Sequence, residues 1–237
     1  MAAYDYSAWF CSRTGERHLQ EKKDNQDVAF VKSDGNITFA AVADGVSSCK
    51  NGAQGARVAC EKLYEAMTKE SRYLFGLKEE SVAYLIVSYL QSEIGALADR
   101  EGEDAMSYAS TLSFLCIDEA RNLALSFSVG DSFMSAVMKD RRVKAIGHPP
   151  EPSPDLICTT MTKRAYEDSA VTFLDMNDVA SVLICSDGAW RAMLQKKETN
   201  QQVMDYVVKN DTEGLDRFFG SAGSRDDCTC MLIRQKG

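Results

Sequence analysis

Residues 111–139 carry three short apolar, β-rich runs, 111–118, 123–129 and 133–139, joined by turns of a few residues at 119–122 and 130–132. A parallel crossover needs a dozen or more residues, so links this short predict an antiparallel meander. Further runs stand at 8–11, 28–32 and 37–43, the last two separated by the hairpin turn Asp34-Gly35-Asn36. Others follow at 170–174, 182–185 and 228–234. Two helical patterns interrupt the strands. Residues 52–68 place Ala56, Ala59, Leu63 and Met67 on one face, and residues 79–98 turn Val82, Ile86, Tyr89, Leu90 and Leu97 inward. Shorter helices are expected at 200–209 and 212–219. There are too many strands for one half-covered sheet. The predicted class is α+β, two packed antiparallel sheets with helices outside, in a single domain spanning 1–237.

Composition narrows the function. Hydrophobic residues make up 45% of the 237, enough for a sizeable core, and the net charge of -8 argues against a nucleic-acid partner. None of the eight cysteines forms a C-x-x-C pair. Cys116, Cys185, Cys228 and Cys230 lie in apolar runs and are read as reduced core residues. All four prolines fall in 147–154, a surface loop. Neither a signal-peptide pattern nor a run near the roughly 18 apolar residues of a spanning helix is seen. The expectation is a soluble, cytoplasmic monomer without membrane contact.

Three apolar strands end in an aspartate beside a glycine: Ala43-Asp44-Gly45, Ser186-Asp187-Gly188 and Gly130-Asp131-Ser132. Asp226-Asp227 precedes the last strand and Asp27 opens another. Singly, each is an ordinary turn residue. Gathered on one sheet rim they would repel one another, and a divalent cation would relieve that repulsion. Carboxylate and carbonyl oxygens suit Mg²⁺ or Mn²⁺, whereas two histidines and no cysteine cluster make zinc a poor candidate.

The ordered series Asn25-Gln26-Asp27, Val42-Ala43-Asp44-Gly45, Ser110-Thr111-Leu112, Gly130-Asp131-Ser132, Ser186-Asp187-Gly188 and Arg225-Asp226-Asp227-Cys228-Thr229 resembles the metal-dependent protein phosphatases of type 2C. Gly15-x-x-His18 followed by Gln26-Asp27 is similar to their mainly bacterial branch. The resemblance implies a four-layer αββα sandwich and two or three Mn²⁺ or Mg²⁺ ions at one end. It implies hydrolysis of phosphoserine or phosphothreonine in a phosphorylated protein substrate. Asp44 then bridges two ions, with the Gly45 carbonyl on one. Asp187 and Asp226 are carboxylate ligands, Asp131 holds an accessory ion, and Asp27 stands behind or beside the second. Two ions roughly 4 Å apart sharing a water would aim hydroxide at phosphorus.

The chain departs from that pattern in places. Val46 stands where many members carry histidine after Asp-Gly, and Gln26 replaces a glutamate. At the phosphate-binding arginine position stands Lys22, which offers a point charge without a fork, so Arg17 or His18 are the other candidates. The register makes Asp226 the ligand and Asp227 the amide-tolerant neighbour. The alternatives to a protein phosphatase are a phosphatase of small phosphoesters and a catalytically weak domain that binds a phosphorylated partner.

Overall fold

Strand alternation sets the layers. In β3 (Ile37–Asp44), Phe39, Ala41 and Ala43 point to one side and Ala40 and Val42 to the other, all fully buried. A strand apolar on both faces must be covered on both. The computed structural model describes residues 6–147, 158–195, 198–221 and 223–236. One five-stranded antiparallel sheet runs in the order β2 (Asp27–Asp34), β3, β4 (Leu112–Asp118), β5 (Leu123–Val129), β8 (Ser169–Asp175). The second runs β1 (Tyr6–Arg13), β12 (Cys228–Gln235), β9 (Val179–Cys185), β6 (Phe133–Met138), β7 (Val143–Ala145).

The sheets meet through Ala40, Val42, Leu115 and Ile117 on one side and Met134, Val182, Ile184, Met231 and Ile233 on the other. Outside the first sheet lie α2 (Gly52–Leu74) and α3 (Glu79–Glu101), whose Ala56, Leu63, Met67, Val82, Ile86 and Leu90 cover Phe39, Phe114 and Phe127. Outside the second lie α5 (Gln201–Lys209) and α6 (Thr212–Ser221), with Val203, Val207, Leu215 and Phe219 on Leu183, Cys230 and Leu232. The result is the four-layer αββα arrangement.

Several details differ from the sequence reading. The three runs of 111–139 are not one meander: β6 leaves β5's sheet and pairs with β9 and β7. The corner is Gly130, at φ +104°, a conformation that glycine alone adopts without strain. Two short helices, α1 (Glu16–Glu21) and α4 (Asp187–Met193), are too brief to leave a helical period in the sequence. The α5–α6 layer is preceded by the small hairpin β10 (Leu194–Gln195) and β11 (Glu198–Thr199). Within α3, Tyr89 and Leu97 are only half-buried. That helix is long and apolar enough to cross a membrane, contrary to the sequence reading, but Val82, Ile86, Val87 and Leu90 bury its apolar face in the core. The proline-rich stretch lies almost wholly outside the described residues.

Candidate active site

The alternation that buries Ala40 and Val42 between the sheets carries Asp44 to the same face, one step beyond the apolar core. Asp27 pairs with Asp44 across β2 and β3. Asp131 stands on the corner where the chain changes sheets, and Asp187 opens α4 directly after β9. Asp226 lies two residues before β12. Five carboxylates from both sheets thus gather at one end of the molecule. Asp44, Asp131, Asp187 and Asp226 line a cleft of about 320 Å³ together with Arg17, Ser47, Thr111 and Arg191. Asp27 is buried behind it.

Backbone bonds hold this rim. The Thr111 amide donates to the Asp44 carbonyl at 2.8 Å, and the Gly45 amide donates to the Gln26 carbonyl at 3.2 Å. A β-carbon on Gly45 would stand 2.4 Å from the Gly52 carbonyl carbon, so only glycine lets the following loop close on the start of α2.

Burial, and then the charges of Asp27, Asp187, Asp226 and Asp131, push the Asp44 carboxyl well above its usual range. Burial raises Asp27 to about 7, with the charges of Asp227 and Asp187 adding to it. Burial and then Asp131 raise Asp187 to about 6, with Arg191 opposing. Asp131 is raised chiefly by burial. Both oxygens of Asp27, Oδ2 of Asp131 and Oδ1 of Asp187 are buried without a hydrogen-bond partner. Orphaned oxygen donors and mutually repelling carboxylates fit a hard divalent cation. Among the described residues no three such side chains already stand as a ready-made ligand set. Two guanidiniums hold the carboxylates instead: Arg17 Nη2 is 3.2 Å from Asp226 Oδ1, and Arg191 Nη1 is 2.6 Å from Asp187 Oδ2. Arg191 Nη2 also stands 3.8 Å from Asp131 Oδ2.

The three basic candidates separate in space. Arg17, on α1, lines the cleft and donates to Ser47 Oγ at 2.6 Å. Lys22, in the left-handed conformation that ends α1, lines a neighbouring hollow with Ser47 and Lys50. His18 is buried and turned away from the cleft, its Nδ1 2.8 Å from Asp227 Oδ2. That carboxylate is acceptor-only when ionised, so the imidazole proton is on Nδ1. Asp227 also accepts from the Gly15 amide at 2.8 Å and the Gln26 amide at 2.7 Å. It is therefore a buried clasp between α1, the entry to β2 and the approach to β12. This corrects the expectation that an amide would serve there. Arg191 was missed in the sequence. Its signal is the i,i+4 spacing from Asp187, visible only once α4 is known to be a helix.

A family model described as Protein phosphatase 2C matches residues 14–217, and the chain belongs to that family. No curated protein sequence matches it. Among solved structures it is similar to a bacterial serine phosphatase, at 16% identity and TM-score 0.68 over 98% of this chain and 99% of that one. PppA, a regulatory component of the type VI secretion system in Pseudomonas aeruginosa, matches at 18% identity and TM-score 0.65, covering 98% of each chain. The catalytic domain of the serine/threonine protein phosphatase PstP, in complex with two manganese ions, matches at 15% identity and TM-score 0.68, over 98% of this chain and 99% of that one. Likenesses at these identities establish the fold.

Proposed function

We infer that the protein is a metal-dependent serine/threonine protein phosphatase, a hydrolase of phosphoserine and phosphothreonine monoesters. The observation that carries this is the convergence of Asp44, Asp131, Asp187 and Asp226 with Arg17 in one cleft, within a chain of the protein phosphatase 2C family. Asp44, central to the repulsive cluster, together with the Gly45 carbonyl, would hold Mn²⁺ or Mg²⁺ in the cleft. Asp187 and Asp226 would complete the carboxylate set, Asp131 would hold an accessory ion, and Asp27 would support the site from behind. Bound there, the ions supply an acidified water nucleophile and positive charge against the phosphoryl oxygens.

The chain's own residues do the rest. Arg17 presents a fork to the phosphoryl oxygens from a position fixed by Ser47 and Asp226. Asp227 and His18 keep α1, and so Arg17, in place. The orphaned carboxylates favour a cation-loaded enzyme over a domain that only binds a phosphorylated partner. We further propose that residues 1–237 act as one catalytic domain, monomeric and cytoplasmic. Mn²⁺-dependent hydrolysis of an aryl phosphate and of a phosphoserine peptide tests the proposal. Absence of turnover with every divalent ion refutes it.

A further inference from the structure

A second hollow, of about 430 Å³, opens beside the cleft and shares Arg17, Arg191 and Asp226 with it. Gly188, Ala192, Ser224 and Arg225 also line it. Three arginines therefore line one space in a chain whose net charge is -8. Two carboxylates lie close by. Asp226 is already hydrogen-bonded to Arg17, and Glu16 stands near the backbone of Gly223.

The three arginines are differently employed. Arg17 and Arg191 straddle both spaces and are tied to Asp226 and Asp187. Arg225 faces only the second hollow, is exposed, and has no ion pair among the described residues. Its backbone is nonetheless fixed. The Glu16 and Arg17 amides donate to the Ser224 and Arg225 carbonyls at 3.0 and 3.1 Å, and Ser224 Oγ donates to the Asp226 carbonyl at 2.7 Å. An exposed guanidinium without an ion pair, rooted on a fixed backbone, can take a carboxylate or phosphate through two parallel bonds.

We propose that Arg225, backed by Arg17 and Arg191, forms a second anion subsite that selects phosphopeptides carrying a further anionic side chain, carboxylate or phosphate, near the scissile phosphoester. This rests on the phosphatase reading and names the substrate class of that same site. Arg225 determines specificity and takes no part in the bond cleavage.

The test compares kcat/KM of the wild type, Arg225→Ala, Arg225→Lys and Arg225→Glu on four substrates. These are an aryl phosphate, a phosphoserine peptide with neutral flanks, the same peptide with glutamate flanks, and one with a second phosphoserine. The wild type is expected to favour the two anionic peptides by about ten-fold, the worth of one charge-assisted hydrogen bond. Arg225→Ala removes that preference and leaves the aryl phosphate and the neutral peptide within about two-fold. Arg225→Lys retains part of it, and Arg225→Glu inverts it. A greater gain for the doubly phosphorylated peptide than for the glutamate peptide assigns the subsite to phosphate. Equal kcat/KM on all three peptides, or an equal loss on all of them in Arg225→Ala, overturns the proposal. Should the aryl phosphate not be hydrolysed with any divalent ion, the phosphatase reading has failed. The subsite is then judged by fluorescence anisotropy of the doubly phosphorylated peptide on metal-free protein: binding weakened by Arg225→Ala supports it, and unchanged binding overturns it.

Discussion

Asp27 and Asp187, raised to about 7 and about 6, make the metal-free protein sensitive to pH in a defined direction. Each binds its proton more tightly folded than unfolded, where a carboxyl titrates near 4. Their contribution to stability is therefore full below about pH 4 and is lost as pH rises through 6 and 7. In chelator, melting temperature is expected to fall between about pH 4 and 7, and Asp27→Asn should flatten that slope. A flat wild-type profile would contradict the assignment. Asp44→Asn should abolish turnover and leave the melting temperature in chelator unchanged or higher, because one repelling charge is gone. Turnover within ten-fold of wild type would remove Asp44 from the bridging role. The neighbours Asp226 and Asp227 should fail in different ways. Asp226→Asn keeps the fold and loses Mn²⁺ affinity in calorimetric titration. Asp227→Asn strips the partner from buried His18 and turns an amide toward backbone donors, costing about 3 kcal/mol in chemical denaturation. At this scale the sequence was most legible where residue type and strand end coincide, as at Asp44 and Asp187. His18, Lys22 and Arg17 were indistinguishable there, because which of them faces the cleft depends on the turn of α1 and the clasp at Asp227.

Elements were legible where a period had room to repeat. The helices expected at 52–68 and 79–98 are α2 and α3, extended at their C-termini to Leu74 and Glu101. The runs at 123–129 and 228–234 lie on β5 and β12. What stayed hidden was sheet membership. Apolar alternation on β6 is the same whether it pairs with β5 or with β9, and the choice is made by tertiary packing and the corner at Gly130. The start of α4 shows how tightly elements are fitted at the site. A β-carbon on Gly188 would stand 1.9 Å from the Asp227 carbonyl oxygen. Gly188→Ala must push α4 off the approach to β12, and is expected to cost about 3 kcal/mol. Measured in chelator, that loss reports packing and not missing metal. A melting temperature equal to wild type would show that the two segments have slack.

At the scale of the whole molecule, the carboxylates come from both sheets, so a cation bound among them ties the layers together. At Mn²⁺ near 100 times its dissociation constant, mass action adds about 2.7 kcal/mol, which for a chain of this size raises the melting temperature by roughly 5–10 °C. Scanning calorimetry should show one transition that shifts as a unit; two transitions would divide the chain into separately folding parts. The pairing of the first strand with the last carries a further implication, for biosynthesis. β12 lies between β1 and β9 in the interior of its sheet. The sheet made of β2, β3, β4, β5 and β8 uses nothing beyond residue 175. On the ribosome that half can form early, while β1 waits, its edge unpaired, for residues 228–235 to emerge. The nascent chain thus spends most of its synthesis with a strand edge open and the carboxylates of its cleft divided between the part already made and the part still inside the exit tunnel. The cleft is completed only when Asp226 and β12 have emerged, so a partly made chain lacks the full set of carboxylates that the finished fold brings together.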